Sequence, residues 1–177
     1  MRKLKNAELN RLDVDSFKKA EKNPIIIVLD NIRSLNNIGS IFRTADAFRI
    51  EAIYLCGITA QPPHRDIHKT ALGATDSVDW KYFKTTEEAI LELKSKNYKI
   101  IALEQADQSI MLNRFSPDPD HAHAIILGNE VHGIEQNVVD FSDFCVEIPQ
   151  FGTKHSLNVT VSNGIILWDI MLKLNLL

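Results

Sequence analysis

This sequence has little cysteine, no long apolar run and neither of the common glycine-rich phosphate loops. Each absence narrows the field. Cys56 and Cys145 are its two cysteines. They lack metal-type spacing, and each sits in an apolar, strand-like run. They read as buried free thiols of a reducing compartment. No apolar stretch is long enough to cross a bilayer, which excludes a membrane-spanning chain of helices. Residues 1–22 are charged and polar, unlike a secretory signal, so the expected location is cytoplasmic. No Gly-x-Gly-x-x-Gly follows the first strand-like run, and Gly-x-x-x-x-Gly-Lys-Ser/Thr is absent. Phe151-Gly152-Thr153-Lys154-His155-Ser156 approaches the latter but lacks its first glycine. His64 and His68 stand four apart, and His121 and His123 two apart, with no third ligand at a zinc spacing. No metal is expected. Internal repeats, low-complexity tracts and interdomain linkers are also missing.

What remains is an ordinary globular chain. Its 177 residues suit one domain with a real core. An apolar fraction of 45% and a charged fraction of 24% fit a soluble protein. The net charge of -3 does not mark a nucleic-acid binder, but the charge is unevenly placed. Residues 1–22 carry seven basic and four acidic groups, whereas the remainder is acidic on balance. That segment is either a phosphate-facing arm or a solvated amphipathic helix.

Periodicity supplies the elements. Leu9, Leu12 and Phe17 give residues 6–20 a partial helical stripe, ended by Pro24. Residues 25–29 are β-branched and apolar on both faces, as in a central parallel strand. A helix is predicted over 37–48 and a second strand over 52–56. A short helix starts near Arg65, a third strand spans 80–83, and an amphipathic helix covers 86–96. Strands over 98–103 and 122–127 flank a long polar connection, 105–121. A brief helix over 134–140, a sixth strand over 144–148 and a helix over 157–175 complete the chain. Strands alternating with helices imply a six-stranded, mostly parallel α/β sheet covered on both faces. The last helix is apolar almost all round, with Val161, Ile165, Trp168 and Leu172 as well as an inner set. It is either a homodimer seam or a central helix of a monomer.

Three polar clusters sit at strand-to-helix junctions: 36–44, 128–133 and 156–164. In open α/β sheets, ligands bind at the carboxyl ends of strands. Glu130 directly follows a strand, so it is a candidate acid, or else a helix cap or arginine partner; Asp46 and Glu104 are lesser candidates. Arg43 lies in an otherwise apolar helix and reads as buried or half-buried, which requires a partner. Asp46 would serve locally, and a phosphate or developing alkoxide would serve functionally.

The segment Asn37-Ile38-Gly39-Ser40-Ile41-Phe42-Arg43-Thr44-Ala45 resembles the first signature of the SpoU (TrmH) family of RNA 2′-O-ribose methyltransferases, in the SPOUT superfamily. Ile126 to Ile134 resembles the second signature, and Ile148-Pro149 through Ser162 the third. Together they span residues 25–175, in the family's order. The resemblance implies a SPOUT-type α/β knot, with a C-terminal trefoil knot, over a methyltransferase domain at 23–177. Residues 1–22 would be a helical, partly basic N-terminal segment. It implies S-adenosylmethionine as cofactor, held by Leu103, Gly128, Ile148 and Leu157. Arg43, Asn37, Glu130, Ser156 and Asn158 correspond to the catalytic signature residues. Arg33, Arg43 and Arg65, with residues 1–22, would contact RNA. Glycine at 128 would let backbone approach closely.

The implied reaction is attack of a ribose 2′-hydroxyl on an activated methyl group. Removing a proton from an arginine at pH 7 costs about 7 kcal/mol, so Arg43 would steady the nascent alkoxide rather than act as base. The proton acceptor stays open among substrate phosphate, Glu130 and water. The expected substrate is tRNA ahead of rRNA, because the chain leaves no room for a separate RNA-binding extension. DNA lacks the 2′-hydroxyl and should be inert. Two rivals stand: a base-directed SPOUT methyltransferase, and a non-catalytic RNA-binding or assembly factor.

Overall fold

The computed structural model describes residues 1–177, the side chain of Asn6 aside. Seven strands form one sheet: β1 Asn23–Asp30, β2 Ile50–Cys56, β3 Asp79–Phe83, β4 Lys99–Leu103, β5 Ile110–Met111, β6 His123–Leu127 and β7 Phe144–Glu147. Their spatial order is β3-β2-β1-β6-β4-β7-β5, and every pairing is parallel. The expected count of six is corrected by β5. It occupies two residues of the polar connection and pairs Ile110 with Val146. So short a strand, in a proline-bearing run, has no period to read.

The helices are α1 Val14–Lys19, α2 Leu35–Ala47, α3 Arg65–Ala71, α4 Ala74–Ser77, α5 Thr86–Ser95, α6 Gln136–Phe141 and α7 Val159–Lys173. Alternation along the strands sorts them into two layers. Ile25, Ile27 and Leu29 of β1, with Ile125 and Leu127 of β6, pack with α2, α3 and α7. Ile26, Val28, Ala124 and Ile126 point to the other face and pack with α5 and α6. Both central strands are thus apolar on both sides, as parallel strands between helical layers must be.

The expected N-terminal helix over 6–20 is shorter. A 3-10 turn covers Asn6–Glu8, and the α-helix begins only after Asp13, which accepts the Ser16 N–H at 2.7 Å. Its Phe17 is buried in the main core, and Arg2 pairs with Glu8 at 2.8 Å. The segment is therefore joined to the domain through one apolar anchor.

Helix α7 starts two residues later than expected, because Asn158 caps it by accepting from Thr160 N at 2.9 Å. Ile166, Leu167, Ile170 and Met171 are buried. Val161, Ile165, Trp168 and Leu172 remain exposed, at spacings of three and four residues, as one outer stripe. The central-helix alternative is therefore overturned for the single chain. No helix is long and apolar enough to cross a membrane.

Parallel pairing puts the carboxyl ends of the strands at one edge of the sheet. The chain builds outward from β1 to β2 and β3, then returns to place β4 and β6 on the other side. The resulting reversal of strand order marks the place where α/β sheets open a crevice.

Candidate active site

At that edge the loops after β4, β6 and β7 enclose a cavity of about 340 Å³. Leu103, Gly128, Ile148 and Leu157 all line it, so the four residues expected to hold a cofactor share one wall system. Glu104, Gln105, Glu130 and Ser156 supply polar groups to the same cavity. The lining thus joins a flat apolar surface to polar side chains, which suits an adenosine-bearing ligand with a charged tail.

Gly128 makes this geometry possible. A Cβ there would lie 2.4 Å from the Gly133 carbonyl carbon and 2.5 Å from Ile134 N. The reason is closer to home than a ligand: residues 129 and 133 close a tight loop, with Asn129 N–H donating to Gly133 O at 3.0 Å and Gly133 N–H to Asn129 O at 2.9 Å. The Asn129 side chain reinforces that loop. Its Oδ1 accepts from Val131 and His132 N–H, and its Nδ2 donates to Asn31 O at 2.7 Å.

Glu130 is held at the end of this loop and faces the start of α2. Its carboxylate accepts the Arg33 and Ser34 N–H groups at 3.0 Å each, and Asn37 Nδ2 at 2.9 Å. Burial acts to raise its pKa, but these donors outweigh it and leave the group below its ordinary value of 4.5. The carboxylate is ionised at neutral pH and sits where the positive end of the α2 dipole favours it. It braces the turn that leads into α2, whose own cap is Ser34, and does not cap the helix after Gly133. Asn158 Nδ2 then reaches Asn37 Oδ1 at 3.4 Å. One line of contacts, Asn158 to Asn37 to Glu130, joins all three polar clusters.

The segment after β7 is tied down independently. Gln105 Nε2 donates to His155 O at 2.7 Å. Glu104 receives Gln105 N and, from the β6 loop, Ile134 N at 2.9 Å. Neither Gln105 nor Asn129 was among the candidate site residues, although Asn129 lies inside the 128–133 cluster. Asn129 adjoins Gly128 and could have been found by position, whereas nothing local marks Gln105.

Two expectations are corrected. Arg43 is exposed rather than half-buried, and Asp46 is not its partner; Asp46 instead accepts from Ser77 Oγ at 2.5 Å. No ion pair forms at Arg43 among the described residues. Arg43 also stands outside the cavity wall. It lines a separate cleft with Ser40, Lys69, Thr70, Thr160 and Val161. Asn37 and Asn158 support the cavity rim without lining it. Ser156 is exposed, as are Arg33 and Arg65, and Arg65 lies at another cavity, near Trp80. Among the described residues no group of three or more His, Cys, Asp or Glu side chains is placed to hold a metal ion.

The sequence profile described as "SpoU rRNA Methylase family" matches residues 24–168. The chain belongs to that family. Among SpoU-family relatives, an "Uncharacterized tRNA/rRNA methyltransferase" of Borreliella burgdorferi is 33% identical over 164 residues, covering 93% of this chain and 70% of its own. A "tRNA (guanosine(18)-2′-O)-methyltransferase" of Aquifex aeolicus is 29% identical, with 82% of this chain and 67% of that one covered. A crystal structure titled as an AdoMet-bound rRNA methyltransferase from Sinorhizobium meliloti superposes with a TM-score of 0.79 at 24% identity. It shares the fold over 89% of this chain and 60% of its own. The chain thus spans about two thirds of the length of these SpoU-family proteins.

Proposed function

We propose that this chain transfers a methyl group from S-adenosylmethionine to a ribose 2′-hydroxyl of RNA, with tRNA the first substrate to test. The observation that carries the reading is the Asn158–Asn37–Glu130 line, which draws three distant segments to the rim of one cavity. Leu103, Gly128, Ile148 and Leu157 would hold the cofactor, which supplies the electrophilic methyl group when bound. Glu130 would orient the start of α2, since its lone pairs already serve three donors. Ser156 would face the incoming ribose from the cavity wall.

Arg43 would bind a phosphate and steady the developing alkoxide. Its cleft is shared with Val161, the first residue of the exposed α7 stripe. We therefore place the homodimer seam on that stripe, so that Arg43 completes the cavity of the second copy. Residues 23–177 would form the catalytic domain, and 1–22 a basic appendage against RNA in the cytoplasm. The trefoil knot belongs to the same reading. The contacts consistent with it are those of residues 148–158, which leave β7, meet the loop after β4 at Gln105 and reach α2 at Asn37.

The test is incubation with labelled methyl donor and total RNA from cells lacking the protein, followed by nucleoside mapping. Label on ribose oxygen of tRNA is the expected result. Label on a base would favour base methylation, and absence of cofactor binding by calorimetry would favour a non-catalytic RNA binder. Arg43→Ala should cut transfer by about a hundredfold with near-normal cofactor affinity. Because Phe17 is anchored in the core, the basic segment is best tested by Lys18→Gln with Lys19→Gln. An unchanged salt dependence of RNA binding would remove it from the interface.

A further inference from the structure

A second cavity, of about 510 Å³, opens between the loop before α3, helix α4 and the start of β3. Nothing in the proposed methyl-transfer site uses it. Its walls bring together Trp80 and Pro63 as flat apolar surfaces and His64, Arg65, His68 and Asp76 as polar ones. Trp80 is half-buried on the edge strand, packed against the main core and lining the cavity. Arg65, His68 and Asp76 are exposed. His64 Nδ1 accepts the Asp66 N–H at 3.1 Å. An accepting ring nitrogen is unprotonated, so Nε2 carries the hydrogen of the neutral ring and is a donor. The cavity therefore offers a stacking surface, donors beside a guanidinium, and one carboxylate acceptor. That is the chemistry of a nucleobase with its attached phosphate.

The position strengthens the assignment. Helix α3 is locked to α2, with Thr70 Oγ1 donating to Asn36 O at 3.0 Å. A Cβ at Gly39 would lie 2.2 Å from Ile67 O, so the two helices meet backbone to backbone. Arg65 and His68 of α3 line this cavity and Lys69, on the same face at i+4 from Arg65, lines the Arg43 cleft. Basic groups thus run across α3 from one opening to the other, along a rigid support.

We propose that this cavity takes one unpaired nucleotide of the bound RNA, its base against Trp80 and its phosphate at Arg65. The next phosphates then cross Lys69 toward Arg43. The inference rests on the RNA reading above, and its test does not require methyl transfer. The chain has two tryptophans, so Trp168→Phe, which keeps an apolar aromatic ring in the α7 stripe, leaves Trp80 as the sole tryptophan emitter. In that background an unstructured oligoribonucleotide should quench Trp80 fluorescence, and an abasic ribose-phosphate oligomer of equal length should not. Trp80→Ala should weaken binding about tenfold, the scale of one lost stack, with Trp80→Phe recovering most of it. Arg65→Ala, at an exposed position that cannot disturb the core, should lower the salt slope by about 0.7. Binding without any change in Trp80 emission overturns the proposal, as does equal quenching by the abasic oligomer. Calorimetry with S-adenosylmethionine separates the two readings. Quenching without cofactor binding retires methyl transfer and keeps the pocket, and cofactor binding with ribose methylation but no quenching does the reverse.

Discussion

Glu130→Gln isolates what the central carboxylate does. In the folded chain Oε1 accepts from Ser34 N and Asn37 Nδ2, and Oε2 accepts from Arg33 N. Glutamine retains one acceptor oxygen. With that oxygen toward Ser34 and Asn37, its NH₂ group is set against the Arg33 N–H, donor against donor. A hydrogen bond to a charged group contributes about 1.5–3 kcal/mol. The site is exposed and water can reach the freed N–H, so we take about 1 kcal/mol for it. Losing a negative charge at the start of the 13-residue α2 adds about 0.3–1 kcal/mol. The sum, about 1–2 kcal/mol, lowers Tm by about 2–8 °C for a chain of this size.

The pH dependence has a definite sign. The folded pKa lies below the ordinary 4.5, so the unfolded state binds the proton more readily. The stabilisation is complete above the unfolded pKa and is lost as pH falls through the folded one. Denaturation of both proteins at one fixed concentration, at pH 7 and in acid below pH 4.5, reads this directly. Equal stability at pH 7, or a gap that persists in acid, refutes the tether. Methyl transfer adds a second reading. A tether loses less than about tenfold, whereas a lost general base costs about 10²–10⁴-fold.

Three further outcomes follow from other parts of the molecule. Gly128→Ala drives a methyl group into the backbone of residues 133 and 134 and should cost about 1–3 kcal/mol or more, with loss of cofactor binding seen by calorimetry. Trp168→Glu puts a charge in the exposed α7 stripe and, if the proposed seam lies there, should yield a monomer by light scattering where the natural chain gives a dimer; equal masses for the two would remove the seam from this stripe. His123 is fully buried with both ring nitrogens unpartnered among the described residues, and burial holds its pKa below 6.5. The unfolded state alone takes up the proton as pH falls below that value, so stability drops. His123→Leu should therefore gain on the natural protein in urea denaturation between pH 7.5 and 5, and a pH-independent difference would contradict this.

Local sequence determined the strands and most helices. β1 and β6 are β-branched runs apolar on both faces, a pattern that only a sandwiched strand satisfies. α2 was legible from Ile38, Ile41, Phe42 and Ala45, but it begins at Leu35 under a Ser34 cap, two residues before the expected 37. β5 was not legible, because its two residues become a strand only when β7 offers an edge. Residues 6–13 carried apolar residues at helical spacing, yet helix formation there lacks the packing partner that Phe17 finds in the core.

The site divides along the same line. The residue types at 37, 128–130 and 156–158 announced polar work at strand ends, and their order carried the family resemblance. Only the tertiary structure decided what meets what. It set Glu130 against the backbone just before α2, hung Asn37 between Glu130 and Asn158, and left Arg43 outside the cavity and facing solvent. Those facts depend on contacts between residues about 90 to 120 positions apart. Periodicity reports how a residue sits on its own element; partners across such separations are set by how the layers and loops pack.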